Sequence, residues 1–382
     1  MKIAFLTPEY PHHKTGSYGG IGTSIKNLSK GLIEHGNKVI IIIYGQKEDA
    51  VFEEDGIIFH QVKNVKIKGL SWYFTRKKIQ KIINDLYDNN QVDLIEAPDW
   101  TGITSFIKVK CPIVIRQNGS DTYFCYLDGR KVKPINKFHE KYALKNADSV
   151  LSVSNYTGEL TNRLFELDLN FTVIPNCIDN SFLVANPVAG DQHTLLYFGS
   201  LIRKKGLLEL PHIFNKVVER NPNTKLIIIG RDVPDIITGS SSTWEMAKEL
   251  FSKEALKNVN YIGVVAHESI KQYIQNATVC LFPSFAEALP LAWLEAMAVG
   301  KSLVASNVGW AKEMIDDGTD GFLVHPTDHK LYAERINTLL ADPDLRHAFG
   351  EKAIEKIHSR FAASALIHKN MSYYQTIINE KR

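Results

Sequence analysis

Short runs of β-branched and other apolar residues alternate with amphipathic stretches along nearly all of this 382-residue chain, and no other feature limits its fold as strongly. Strands are predicted over residues 2–6, 38–43, 57–62, 93–96, 112–116, 149–153 and 172–174. Several are unbroken apolar runs, such as Val39-Ile40-Ile41-Ile42-Ile43, which fit strands covered on both faces. Helical periodicity fills residues 23–35, 72–87 and 135–146 between them, and Gly36 closes the first of these. The rhythm breaks over 181–193, where Ala185-Asn186-Pro187-Val188-Ala189-Gly190-Asp191 is small, polar and turn-rich, as a linker is. It then restarts with strands at 194–198, 224–229, 259–262, 278–282 and 302–305. Alternation twice over predicts an α/β protein of two Rossmann-like, doubly wound parallel-sheet domains, 1–185 and 186–362, facing a central cleft. Residues 363–382 are expected to form a helix packing back on the first domain. Ligands of such sheets sit outside the carboxyl ends of the strands.

Composition narrows the function. With 44% hydrophobic and 23% charged residues, the chain is globular and not disordered. The 45 Lys and Arg against 42 Asp and Glu leave a net charge of +3, too even for a nucleic-acid partner. No apolar run reaches the roughly 18–20 residues of a membrane-spanning helix. Pro8 and Glu9 cut the N-terminal apolar stretch short of a secretory signal, so it is expected to be a buried first strand. Cys111, Cys125, Cys177 and Cys280 lack paired spacing, which fits reduced thiols in the cytoplasm. His12-His13, His139-Glu140 and His267-Glu268 lack metal spacing, and no metal or other cofactor is expected.

Three constellations could carry chemistry. The loop after the first strand ends in Gly16-Ser17-Tyr18-Gly19-Gly20-Ile21-Gly22, before a helix that Thr23 or Ser24 could cap; it reads as a phosphate cradle or a flexible turn. Gly199-Ser200-Leu201-Ile202-Arg203-Lys204-Lys205-Gly206 follows the first strand of the second domain, where cations suit a phosphate and a solvated basic turn is the plainer alternative. The sharpest runs from Phe282 to Gly300. Its strand ends at Phe282, and a helix starting at Pro290 would leave Glu287 on the loop and Glu295 on the helix, able to address two ends of one elongated ligand. The amides of Ala288, Leu289 and Leu291 are available there for an anion.

These motifs, with Ile174-Pro175-Asn176-Cys177-Ile178-Asp179 closing the first domain, resemble those of the family 4 retaining glycosyltransferases of the GT-B fold. The resemblance covers nearly the whole chain. It implies a nucleotide-diphospho-sugar donor held in the inter-domain cleft, mostly by the second domain. Glu287 would hold sugar hydroxyls, Glu295 the ribose, and Arg203 and Lys205 the diphosphate, with Gly19 and Gly20 approaching from the other domain. It implies transfer with retention and no metal, to a glycan or lipid-linked acceptor of a cell-surface polysaccharide or lipopolysaccharide. Asn118 stands where such enzymes carry a histidine, Ser200 where they carry an arginine and Pro290 where they carry a glycine.

Arg231 could border a nucleobase pocket or form a turn pair with Asp232. Glu96, Asp99 and Trp100 could meet the acceptor or cap a helix. The segment from Lys63 to Lys81 has no acidic residue and three consecutive aromatics, Trp72-Tyr73-Phe74. It suits peripheral contact with an anionic membrane surface on the cytoplasmic side, or a solvated helix face over core aromatics. A catalytically silent nucleotide-sugar or glycan-binding module and a GT-B sugar-nucleotide epimerase or phosphorylase are the alternatives to the transferase.

Overall fold

The computed structural model describes residues 1–382 except Ser17, Ala189, Gln192 and Arg382. Ser17 of the glycine loop and Ala189 of the linker therefore lie outside the described residues. The chain forms two compact units, Met1–Ile178 with Ala362–Arg382, and Asp179–Phe361.

In the first unit, β1 (Lys2–Thr7), β2 (Lys38–Gln46), β3 (Ala50–Glu54), β4 (Ile57–Lys63), β5 (Leu94–Pro98), β6 (Ile113–Gln117), β7 (Ser149–Ser152) and β8 (Thr172–Val173) form one sheet. Its order is β3-β4-β2-β1-β5-β6-β7-β8. All pairings in it are parallel except β3 with β4. The unbroken apolar runs bury both faces: Ile3, Phe5, Val39 and Ile41 enter one core, while Ala4, Leu6, Ile40 and Ile42 enter the other. The C-terminal helix Ala363–Lys381 adds Leu366, Ile367, Tyr374, Ile377 and Ile378 to the first of these cores. It packs so closely on the helix Gly20–Glu34 that a Cβ at Gly31 would run into Ile367.

The second sheet contains β9 (Thr194–Phe198), β10 (Lys225–Ile229), β11 (Val259–Gly263), β12 (Val279–Phe282), β13 (Ser302–Ser306) and β14 (Phe322–Val324), in the order β11-β10-β9-β12-β13-β14. All its pairings are parallel. The strand order reverses between β1 and β5 in one unit and between β9 and β12 in the other. Those are the places where open α/β sheets hold ligands.

Two expectations need correction. The chain divides after Ile178, earlier than the boundary at 185, because the following segment packs on the second unit. Phe182 is buried against His267, the Lys301 ammonium donates to Val188 O, and a Cβ at Gly190 would strike Ala277 O. The described residues Pro187, Val188 and Gly190 thus pack on the second unit and do not form a free linker. The strands β3 and β14 were also not predicted. The β3–β4 hairpin turns on Asp55 (φ 52°) and Gly56 (φ 74°), so its Asp-Gly signal was present in the sequence.

A buried ion pair ties the first sheet to the C-terminal helix. The Arg116 Nε and Nη2 donate to Glu96 at 2.7 and 3.0 Å, and Nη1 donates to Ile174 O at 3.0 Å. The Tyr374 hydroxyl donates to Glu96 at 2.6 Å, and Asn370 Oδ1 accepts from Arg116 at 2.6 Å. Glu96→Ala would strand the guanidinium in the core, and a loss of about 3–5 kcal/mol is expected from urea unfolding. A loss below about 1 kcal/mol would show that the network is dispensable.

Candidate functional site

The densest group of predicted residues lies on the second unit, at the carboxyl ends of β9 and β12. Two loops meet there because Gly206 takes a left-handed conformation (φ 72°) and has no Cβ to collide with Pro283 O. Lys204 O then accepts the amides of Phe285 (2.8 Å) and Ala286 (3.3 Å) from the second loop. This stitch brings Lys205 Nζ to 3.2 Å from Glu287 Oε1, with both side chains only partly exposed. The lysine stem lies over Gly199, where a Cβ would sit 3.7 Å from Nζ. The Ser284 hydroxyl reaches Glu287 Oε1 at 3.4 Å. An ammonium carries three donors, so Lys205 can serve an anion while it holds the carboxylate.

The helix after this loop is Leu291–Ala298, with Pro290 (φ −69°, ψ 115°) as its N-cap, so Pro290 precedes the first turn and does not open it. Ala288 and Leu289 are buried on its approach and Leu291 is its first residue. Glu295, 7% exposed, receives His267 Nε2 at 2.9 Å.

Arg203 departs from the expectation of a phosphate clamp. Its Nε and Nη2 form a fork to Asp235 at 3.0 and 2.9 Å, and Asp235 also accepts from Thr238 N (2.9 Å) and Oγ1 (2.7 Å). The Arg203 hydrogen bonds, with burial opposing, hold the Asp235 carboxyl below its ordinary range. The geometry most suited to a diphosphate is therefore spent on bracing the loop after β10. Arg231 on that loop is exposed, and its carbonyl accepts from Leu201 N at 2.9 Å.

Gly19 and Gly20 belong to the first unit. The helix there begins at Gly20 with Gly19 as N-cap, earlier than Thr23 or Ser24. The Glu9 carboxylate accepts Gly22 N at 2.9 Å and lies 3.3 Å from where a Gly19 Cβ would stand. A residue of the chain itself thus supplies an anion at this helix start and takes up the Gly22 amide.

The acceptor-side trio is also corrected. Glu96 is locked by Arg116, and Asp99 is 1% exposed, leaving Trp100 as the partly exposed member. Asp99 Oδ1 accepts Asn118 N at 3.0 Å, and its other oxygen is buried with no partner among the described residues. Burial pushes the Asp99 carboxyl up to about 8, against the opposing pull of the Asn118 amide and with a further push from Glu140. Glu140 itself accepts from Thr101 N (3.1 Å) and Asp121 N (2.9 Å). These carboxyls hold the turns at the ends of β5 and β6, so Asn118 sits half-buried over a narrow pocket also lined by Ser24, Pro98 and Asn176.

Segment 63–81 divides. Arg76 turns inward onto the carbonyls of Ile103 (3.0 Å) and Gly102 (3.1 Å), and Lys78 pairs with Asp49 at 2.6 Å. Ile67, Leu70, Trp72 and Phe74 remain exposed. Phe106 links Trp72 (5.7 Å) to Phe138 (6.2 Å), which with Ile135 is exposed on the helix Pro134–Lys145. Among the described residues no helix is long and apolar enough to cross a membrane, and the four cysteines are buried and form no disulfide.

The Glycosyl transferases group 1 family model matches residues 181–356, and the Glycosyltransferase Family 4 model matches residues 18–182. The chain is a family 4 glycosyltransferase of the GT-B fold. An uncharacterized glycosyltransferase of Methanocaldococcus jannaschii is 24% identical over 98% of both chains. The capsular polysaccharide biosynthesis glycosyltransferase CapM of Staphylococcus aureus is 26% identical over 50% of this chain and 48% of its own. Among solved structures, sucrose-phosphate synthase from Thermosynechococcus elongatus aligns at a TM-score of 0.80 and 20% identity over 100% of both chains. Anabaena HepE in complex with UDP aligns at 0.73 and 20% identity, over 98% of this chain and 100% of its own. At such identities these structures share the fold.

Sequence spacing did not mark His267, Asp235 or Glu9, because each pairs with a partner distant in the chain. The structure also gathers His12, His13 and Glu54. His12 Nδ1 accepts Lys14 N at 3.2 Å, so a neutral ring carries its proton on Nε2, 3.1 Å from Glu54. In that tautomer the contact with Glu54 brings an N–H close to a carboxylate and is not an ion pair.

The raised Asp99 carboxyl gives a signed pH effect. Between its ordinary 3.8 and about 8, the folded state keeps a proton that the unfolded chain releases. Stability from this group is thus complete below about 3.8 and is lost as pH rises to about 8. Asp99→Asn keeps an acceptor for Asn118 N and should flatten denaturant-measured stability between about pH 5 and 8, by up to roughly 1.4 kcal/mol per pH unit. An unchanged slope would contradict a protonated Asp99.

Proposed function

We propose that this glycosyltransferase transfers a sugar with retention and without a metal or cofactor. The donor is a nucleotide-diphospho-sugar, a UDP- or GDP-sugar, and the acceptor a glycan or lipid-linked glycan of a cell-surface polysaccharide or lipopolysaccharide. The carrying observation is the Lys205–Glu287 pair at 3.2 Å on two stitched loops at the strand-order reversal of the second sheet. Anabaena HepE with UDP and with UDP-glucose, and Staphylococcus aureus TarM with UDP, support the donor class.

Lys205 faces the diphosphate, with the amides of Ala288, Leu289 and Leu291 at the head of the helix carrying Glu295. Glu287 accepts from the sugar hydroxyls and Glu295 from the ribose. Arg203 assists through the N–H groups outside its Asp235 fork, and Arg231 borders the base. When the bond from the sugar's anomeric carbon to the β-phosphate oxygen breaks, negative charge grows on the leaving diphosphate. Donors already fixed there stabilise it more than they stabilise the bound donor. The acceptor hydroxyl attacks on the same face and passes its proton to a phosphate oxygen. The products are a glycoside and a nucleoside diphosphate. Asn118 can donate a hydrogen bond but cannot relay a proton, so its part is to hold a hydroxyl.

The exposed Ile67, Leu70, Trp72, Phe74, Ile135 and Phe138, edged by Lys66, Lys68, Lys133 and Lys137, suit the cytoplasmic face of an anionic membrane. Co-sedimentation with phosphatidylglycerol vesicles should fall as salt rises and should drop in a Trp72→Ser, Phe138→Ser variant. Salt-insensitive binding, or none, removes this contact.

A Lys205→Ala, Glu287→Ala variant should lose about 10²–10³-fold or more in kcat/KM with UDP- and GDP-sugars, with products followed by mass spectrometry. Unaltered turnover would overturn the site.

A further inference from the structure

The carboxylate proposed for the ribose has a built partner. Glu295 Oε1 lies 2.9 Å from His267 Nε2, where the glutamate side chain is 9% exposed and the histidine 30%. His267 opens the helix His267–Asn276 that follows β11. Its ring rests on Phe182, 5.3 Å between centroids, and Phe182 is 2% exposed. One turn further along, the Lys271 ammonium donates to Ser181 O. Residues 181 and 182 belong to the turn Asn180–Phe182, which begins two residues after Ile178, the last residue of the first unit's main segment. The start of this helix is therefore clamped from one side by the connecting segment, and it presents an imidazole N–H to Glu295 on the other.

A glutamate's terminal torsion is broad and roughly two-fold, so a carboxylate on a helix does not hold one plane unaided. A donor fixed on one oxygen sets that plane and offsets part of the cost of keeping the charge away from water. The second oxygen, and the second lone pair of the first, are then aimed for neighbouring hydroxyls.

We propose that His267 is a positioning residue for the donor's ribose: it fixes the carboxylate of Glu295 for the ribose hydroxyls, and Phe182 fixes His267. This rests on the assignment of Glu295 to the ribose. His267 touches no reacting atom, so it governs donor affinity and leaves the chemical step alone. Its histidine-glutamate pairing crosses from one helix to another, which is why neither local sequence pattern announces it.

The test is calorimetric titration of the full chain with UDP, GDP and ADP, and with the 2′- and 3′-deoxy forms of whichever binds. In His267→Ala the parent nucleotide should bind about tenfold more weakly, while the affinity for the deoxy form that loses the Glu295 contact should hardly change. His267→Gln, which restores an N–H, should recover most of the loss, and kcat at saturating donor should stay within about twofold in both variants. Equal weakening of parent and deoxy nucleotide in His267→Ala would reveal general damage and overturn the proposal, as would no weakening at all. Should Glu295→Ala bind as the wild type does, the ribose assignment fails and the proposal with it. A loss in Glu295→Ala beside an unaffected His267→Ala defeats the positioning role alone.

Discussion

The approach of two loops at Gly206 governs the second unit's chemistry. A side chain at that position could not coexist with Pro283 O, and without the approach Lys204 O would not gather the amides of Phe285 and Ala286. Lys205 would then be a solvated lysine at the end of a strand, and Glu287 a loop carboxylate. Placed together, they form a local dipole at the sheet's switch point, with cationic and anionic ends 3.2 Å apart. A sugar diphosphate has the complementary pattern of hydroxyls at one end and charge at the other. The stitch is made of backbone, so it costs little reorganisation when a ligand arrives.

The first unit spends its buried charge differently. Glu96, Arg116, Asp99 and Glu140 are acidic and basic groups at the carboxyl ends of β5 and β6 or packed beneath them, where catalytic residues are commonly sought. Three of them hold backbone, Arg116 at Ile174 O, Asp99 at Asn118 N, and Glu140 at Thr101 N and Asp121 N, while Glu96 holds the Arg116 guanidinium and the Tyr374 hydroxyl. The outcome is a rigid edge that presents few side chains, Asn118 and Trp100 among them. Acceptor recognition on such an edge depends on shape and a small number of hydrogen bonds, which is where specificity among sugars must come from.

The architecture was legible in the sequence because both faces of each parallel sheet are buried. Runs such as Val39–Ile43 fit a strand covered on both faces, and the structure pairs that strand with β1 and β4. The exposed hairpin strand β3 lacked that pressure, with Val51 66% exposed, and only its Asp55-Gly56 turn marked it. Among candidate residues, the placing of Glu287 on a loop and of Glu295 on the helix after it was legible because a strand end at Phe282 and a helix start near Pro290 bracket that segment. Glu96 and Asp99 were misjudged because burial is set by partners far away in the chain, Arg116 and Tyr374 for one and the turn at Asn118 for the other. The Arg203 fork to Asp235 was hidden for the same reason, since nothing in its own loop points to that partner.

The central claim is that Lys205 meets a pyrophosphate while Glu295 meets the attached ribose. A crystal structure of the protein soaked with UDP or GDP tests it most directly. The account predicts phosphate oxygens within hydrogen-bonding distance of Lys205 Nζ and ribose hydroxyls at the Glu295 carboxylate. A nucleotide seated elsewhere, or in reverse with its base at Lys205, would contradict it.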